Sequence, residues 1–306
     1  NNCGSGIYYK TINPKNSDGS RPNTYTCQGK SYAPTIDTFS SICGNTITVV
    51  DTADTSSKQF PYGIRLYGEN LTANDGIVHA GDYSAQNVNV SSNNITISRA
   101  ANAIWPVGTK NINVSQNTVL FNNSAYSTKD NVFGLRIENS TNAAINANTI
   151  NANNIPYVQN VIILDKSKGV NIAGNSLTGA KKHGINLTSS SASISANTIS
   201  GNKENGIFCY KNSTMTTNKN RITGNKKHGI FVNECKGKSK INGDTIKSNK
   251  QCGIAVQKGN NVTINSAKIS KSGKNGIYIF KKSKVTINKC TVSSNKKDGI
   301  YSTLSS

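Results

Sequence analysis

Apolar and polar residues alternate in short bursts along this chain, and the bursts recur. Gly-Ile opens a burst at residues 184, 206, 229, 253, 276 and 299, at intervals of 22, 23, 24, 23 and 23 residues. Within one repeat, Gly-Ile-Tyr-Ile-Phe at 276–280 alternates, Lys284-Val-Thr-Ile-Asn288 alternates again after a short turn, and Cys290-Thr-Val292 makes a briefer third stretch. Period-two alternation over so few residues predicts strands, because successive strand side chains point to opposite faces. A regular period of this length marks a solenoid. Three short strands per coil of about 23 residues predict an all-β architecture, the parallel β-helix.

Three features carry a resemblance: the Gly-Ile starts, the inward pairs Val262/Ile264 and Val285/Ile287, and an asparagine two residues before the third strand's Ile or Leu (Asn148, Asn175, Asn197, Asn220). In these the chain resembles the right-handed parallel β-helix superfamily of pectate-lyase-like proteins. The resemblance implies a single-stranded right-handed parallel β-helix. It is closest from Val161 onward and looser from Gly63 to Asn160, where Gly134 aligns with Val161 at a spacing of 27 and Ala103 with Gly134 at 31. We expect residues 1–60 to form an irregular capping segment, with Gly6-Ile7 placed to open a first coil, and residues 61–306 to form the β-helix. A solenoid of this kind is one elongated domain. The repeat specifies architecture and leaves activity open.

Only 34% of residues are hydrophobic, which suits a thin core under a polar skin. No apolar run approaches the length of a membrane span. The start at Asn1 reads as a mature or truncated chain whose targeting segment has been removed, secreted or at the cell surface. The seven cysteines leave at least one unpaired within the chain, and no spacing suggests zinc. Cys209 falls at an inward position and reads as an inert core thiol; Cys3, Cys27 and Cys43 share the N-terminal segment and are placed for one disulfide.

Charge divides the chain. Residues 1–165 carry 10 basic and 10 acidic side chains, and residues 166–306 carry 25 and 4, which places the whole net charge of +21 in the second part. The lysines recur at matched positions. One set precedes the repeat glycine (Lys181, Lys182, Lys203, Lys226, Lys227, Lys250, Lys274, Lys296, Lys297) and another follows the first strand (Lys211, Lys236, Lys258, Lys281, Lys282). Coils stacked at ~4.8 Å turn such positions into ladders of like charge. They read either as a solubilising guard against edge pairing or as a track for an acidic polysaccharide or other polyanion. Nucleic acid fits poorly, because only 5 of the 35 basic residues are Arg and no binding module is present.

Between the lysine sets, the first strand points Ile185 and Leu187, Ile207 and Cys209, Ile230 and Val232, Ile254 and Val256, and Ile277 and Ile279 inward. It points Phe208, Tyr210, Phe231, Tyr278, Phe280 and Tyr301 outward. We expect an exposed aromatic floor with cationic walls, with Trp105, Lys182, Lys227 and Lys281 joining the outward rings as substrate-binding side chains; a covering domain or a second copy is the alternative use of such a face. Sugar rings stack on aromatics, and a sugar unit advances by about one coil, on the order of 5 Å.

The catalytic candidates lie earlier. Gly134-Leu-Arg-Ile-Glu138 and Val161-Ile-Ile-Leu-Asp165 place Arg136, Glu138 and Asp165 on one outer face, with Trp105 at the position equivalent to Arg136 one coil before. Glu138 and Asp165 are candidate calcium ligands, and the trio is a candidate for proton abstraction from a uronate. The resemblance implies acidic metal ligands, an Arg or Lys base and β-elimination. A surface salt-bridge cluster is the plainer alternative. Arg65, Tyr67, Glu69, Asp75 and His79 form a weaker polar set, and His183 and His228 read as turn residues. The Asn-Thr-Asp, Gly-His-Gly and Arg-Ile-Lys of polygalacturonases, the Arg-x-Pro-x-x-Arg of common pectate lyases and the Asp-Pro-His-Glu of alginate epimerases are all missing. The reading is a polysaccharide-lyase-like protein acting on an acidic polysaccharide, with a glycoside hydrolase as a weaker enzymatic option. A non-catalytic cell-surface adhesin or glycan-binding solenoid is the alternative.

Overall fold

The computed structural model describes residues 7–14, 25–27, 30–32, 40–49, 62–71, 85–98, 101–122, 132–235, 237–258 and 261–303. Three parallel sheets of 11, 10 and 10 strands run side by side along one axis, and each regular coil gives one strand to each. The coil that begins at Gly206 is typical, with strands Ile207–Tyr210, Thr214–Asn218 and Arg221–Thr223. Ile7–Pro14 pairs in register with Tyr62–Leu71 in the first sheet. Ser40–Cys43 and Thr46–Val49 start the second and third sheets, so the solenoid takes in strands that precede residue 61.

The core is a set of one-residue rows. Ile64, Ile104, Leu135, Ile162, Ile185, Ile207, Ile230, Ile254 and Ile277 stack in register in the first sheet, each at most 1% exposed. The glycine before this row has a steric cause. A Cβ on Gly184, Gly206, Gly229 or Gly253 would run into Cγ2 of the third-strand isoleucine of its own coil (Ile199, Ile222, Ile246, Ile269) and lie 2.7–2.8 Å from the next glycine's carbonyl oxygen. The repeat motif is thus a close-approach device.

Polar rows run inside the turns. Asn45, Asn93, Asn117, Asn148, Asn175, Asn197 and Asn220 each donate a side-chain N–H to the side-chain oxygen of the next member, at 2.8–3.0 Å, and the row ends on Asp244. A row of donors running one way needs an acceptor at its end, and a carboxylate accepts only. Asp244 also receives the Asn220 backbone N–H at 2.7 Å and the Thr217 hydroxyl. Burial pushes its pKa up, opposed by those donors. At the last coil, Ile300 is 51% exposed, and Ile279, Val285, Ile287 and Val292 are partly buried.

Candidate functional site

The outer face of the first sheet carries two rows. The first reads Arg65, Trp105, Arg136, Ile163, Asn186, Phe208, Phe231, Ala255, Tyr278, Tyr301. The second reads Tyr67, Val107, Glu138, Asp165, Thr188, Tyr210, Asn233, Gln257, Phe280. The catalytic candidates and the aromatics therefore share one face, and three coil steps of ~4.8 Å separate Arg136 from Phe208.

At the N-terminal end the face is tightly self-paired. The guanidinium carbons of Arg65 and Arg136 lie 4.4 and 4.8 Å from the Trp105 ring centroid, on successive coils either side of it. Trp105 is 9% exposed and donates its indole N–H to Glu138 Oε2 at 3.3 Å. Arg136 Nη2 lies 3.0 Å from the same oxygen. Cation–π contact and ion pair thus hold Trp105 as a spacer between cations, with its edge on a carboxylate. Asp165 is the direct strand partner of Glu138. It is half-buried, and its carboxylate has no ion pair or hydrogen bond among the described residues. Arg136 therefore serves Glu138 rather than both acids. No group of three His, Cys, Asp or Glu side chains able to hold a metal occurs among the described residues, so calcium at Glu138 and Asp165 would rest on two carboxylates. In the weaker set, Arg65 also lies 5.0 Å from the Tyr67 ring centroid. The side chain of Glu69, and Asp75 and His79 altogether, lie outside the described residues.

At the C-terminal end the expected continuous floor is two islands. Phe208 stacks on Phe231 at 5.3 Å and on Tyr210 at 5.4 Å; Tyr278 stacks on Phe280 at 4.5 Å and on Tyr301 at 5.7 Å. Ala255 and Gln257 separate them. The rings are half-buried rather than exposed, apart from Tyr301, because the coil spacing brings each within stacking distance of its neighbour.

One expected lysine ladder stands, with Lys181, Lys203, Lys226 and Lys250 exposed on successive coils and followed by Gly273 and Lys296, and two other rows depart from the all-lysine expectation. Backbone hydrogen bonds align Lys182, Glu204, Lys227, Gln251, Lys274 and Lys297 along the strand entrance, and Lys227 Nζ lies 3.0 Å from Glu204 Oε1. At the strand exit the row is Lys166, Ser189, Lys211, Glu234, Lys258, Lys281, all in the left-handed backbone region. There Lys258 Nζ lies 3.1 Å from Glu234 Oε1. Lys236, assigned to this row by sequence, lies outside the described residues, and Glu234 holds the place. One acid in each wall relieves the repulsion that facing lysines create.

His183 and His228 sit where the walls meet the rings. They belong to a row with Asn160, Asn205 and Cys252, buried apart from the half-buried His228, in which Asn160, His183, Asn205 and His228 each accept a backbone N–H from the next coil. His183 Nδ1 accepts from Asn205 at 3.4 Å, Asn205 Oδ1 from His228 at 3.0 Å, and His228 Nδ1 from Cys252 at 3.2 Å. Burial first, then nearby lysines (Lys182 and Lys227; Lys274 and Lys227), lower their pKa values to about 3 and about 4. Both are therefore neutral acceptors at neutral pH, and their rings pack against Phe208 at 4.7 Å and Phe231 at 5.2 Å. Sequence reasoning places them in turns but misses this role; their spacing with Asn160 and Asn205 is the available signal. Beyond His228, Lys274, Tyr278, Lys297, Asp298 and Tyr301 line an open recess of about 410 Å³ with Cys252 and Asn275 at its inner side.

The profile of the family described as "Right handed beta helix region" matches residues 75–237 and 192–306, which together span most of the chain. The chain belongs to the right-handed β-helix family. No curated protein matches this β-helix. Solved structures share its fold at low identity. The mannuronan C-5 epimerase AlgE6 A-module of Azotobacter vinelandii is 15% identical with a TM-score of 0.59, over 79% of this chain and 71% of that one. The periplasmic alginate epimerase AlgG is 14% identical with a TM-score of 0.52, over 94% and 70%. The catalytic unit of the GH87 α-1,3-glucanase of Streptomyces thermodiastaticus strain HF3-3 is 14% identical with a TM-score of 0.54, over 79% and 49%. No helix among the described residues is long and apolar enough to cross a membrane.

Proposed function

We propose that this β-helix is a secreted or cell-surface protein that holds an acidic polysaccharide along the outer face of its first sheet. The observation that carries the reading is the recess at the C-terminal end, where the side chains of Lys274 and Lys297 meet those of Tyr278 and Tyr301. Two lysines and two tyrosines lining one recess suit a uronate, the lysines for its carboxylate and the rings for its CH-rich face, and Asp298 in the same recess suits a sugar hydroxyl. The two aromatic islands and their lysine walls extend that chemistry along the axis at about one sugar per coil. The 25 basic against 4 acidic side chains after residue 165 favour an anionic polymer. The structurally similar epimerases and glucanase bear names that concern polysaccharides, which supports the class of ligand. The test is retention of the chain in gels containing alginate, polygalacturonate or a glycosaminoglycan, against a neutral glucan, over a range of salt. Retention by an acidic polymer that fades with salt is the expected result. Equal passage through every gel sinks the reading.

A lyase-type activity is the second reading, and Asp165 favours it. An unpaired carboxylate beside the Arg136–Glu138 pair is free to take a proton from the carbon next to a uronate carboxyl, while Arg136 steadies the enolate charge that develops. Glu138 and Asp165 would share any calcium. Ultraviolet absorbance from unsaturated uronate products, followed with calcium and with chelator, separates the readings. Product lost in Asp165→Asn establishes the lyase, and silence on polymers that the chain retains leaves a binding solenoid.

A further inference from the structure

We propose that Cys209 and Cys235 form a disulfide that ties two successive coils together inside the core. Their Sγ atoms lie 3.0 Å apart, and both residues are 0% exposed. Among the described free cysteines, Cys43, Cys252 and Cys290 have no thiol contact of this kind.

Each of the two cysteines departs from its own row, and the two departures meet. Cys209 takes a place in the inward row of the first sheet, between its strand partners Leu187 and Val232. Cys235 takes the next place in a buried serine row, in which the backbone N–H of Ser140, Ser167 and Ser190 donates in turn to the hydroxyl of Ser167, Ser190 and Ser213 at 3.0–3.2 Å. Its sulfur lies 3.5 Å from the Asn233 carbonyl oxygen, as the Ser190 hydroxyl lies 2.7 Å from that of Thr188. An aliphatic position and a hydroxyl position have thus both become cysteine in adjacent coils, and the sulfurs need approach by only about 1 Å to reach the length of a covalent S–S bond.

The reaction is a two-electron oxidation. Both S–H bonds break and one S–S bond forms. A small disulfide such as oxidised glutathione takes the two electrons and two protons and leaves as two thiols. The hydrogen bond with the Cys235 sulfur, and then burial, push the Cys209 thiol pKa up and keep it protonated, and no solvent reaches either sulfur. The bond therefore forms while the coils close, and the finished core shields it from reductant.

The test is refolding of the full chain from denaturant with oxidised and reduced glutathione, or with reductant alone, followed by alkylation and peptide mapping. We expect a Cys209–Cys235 linked peptide pair in the oxidised sample, resistance of that link to reductant until denaturant is added, and a Tm higher than that of the reduced chain by on the order of 5 °C. Cys235→Ser, which supplies the residue found at this place in the preceding coils, should fold and lose both the link and the Tm difference. Cys209→Val is the second variant should the first fold poorly. Recovery of Cys209 and Cys235 as separately alkylated peptides after oxidative refolding overturns the proposal, as does a dominant link from either one to a different cysteine.

Discussion

The coils before residue 165 and those after it share one backbone frame and differ in what that frame presents. In the earlier part the repeat stretches to 27 and 31 residues, acids balance bases, and the outer face is consumed by its own contacts: Trp105 lies between two guanidinium groups, and Glu138 takes both Arg136 and the indole N–H. In the later part the period holds at 22–24 residues, and lysines flank rings that pack on one another and on His183 and His228. A solenoid can carry such different surfaces because each coil answers only to its neighbours. Regularity governs the inner rows, while the outer rows vary at little cost to the fold.

The largest contrast should lie in the repeat glycine. Gly229→Val drives a side chain into Ile246 and toward the Gly253 carbonyl, and should cost at least about 3 kcal/mol in denaturant melts. The looser coil already holds Ala103 at the equivalent position, fully buried, and Ala103→Gly should cost only about 1 kcal/mol. A loss from Gly229→Val no larger than that from Ala103→Gly would show that the close approach at Gly229 admits a side chain.

Acid should act mainly on the later part. The pKa values of His183 and His228 are lowered in the fold, so the stability held at and above pH 6.5 is lost as pH falls toward about 4 and about 3. Each tenfold loss of proton affinity on folding is worth about 1.4 kcal/mol, so each histidine removes up to that amount for every pH unit below 6.5 until its folded pKa is reached. His183→Asn with His228→Asn keeps an acceptor at both places, as Asn160 and Asn205 do, and should flatten the profile below pH 6.5. An unchanged acid profile would remove the histidine row from the explanation.

Asp244 titrates in the opposite sense. Its raised pKa means that the stability present below the ordinary Asp value is lost as pH rises through the folded one. Asp244→Asn should remove that slope and keep the end of the asparagine row. Asp244→Ala, which leaves the Asn220 and Thr217 donors without an acceptor, should cost roughly 2 kcal/mol by thermal or denaturant unfolding.

The smallest effect concerns ligand. Tyr278→Ala with Tyr301→Ala should weaken retention by an acidic polymer roughly tenfold, about 1.4 kcal/mol, whereas Arg136→Ala should change retention less and product formation more. Equal loss of retention from both ends would mean that the two parts form one continuous binding track.

The Gly-Ile period and the period-two alternation determined the coil, its three strands and the inward or outward sense of each first-strand residue, since one period in sequence is one turn in space. The same alternation suffices to set Glu138 beside Asp165. Only the tertiary structure decided what lies next along the axis. It put Glu204 and Glu234 into walls that read as lysine, made acceptors of His183 and His228, gave Glu138 the whole of Arg136, and brought Cys209 against Cys235. Apart from Arg136 and Glu138, which share a strand, these partners stand 22–33 residues apart, and which ones meet depends on how the coils stack. Counting five residues from each repeat glycine reaches Lys211, Glu234, Lys258 and Lys281, so Glu234 rather than Lys236 keeps the place in that row, while the stacking of the coils sets which side chain it meets.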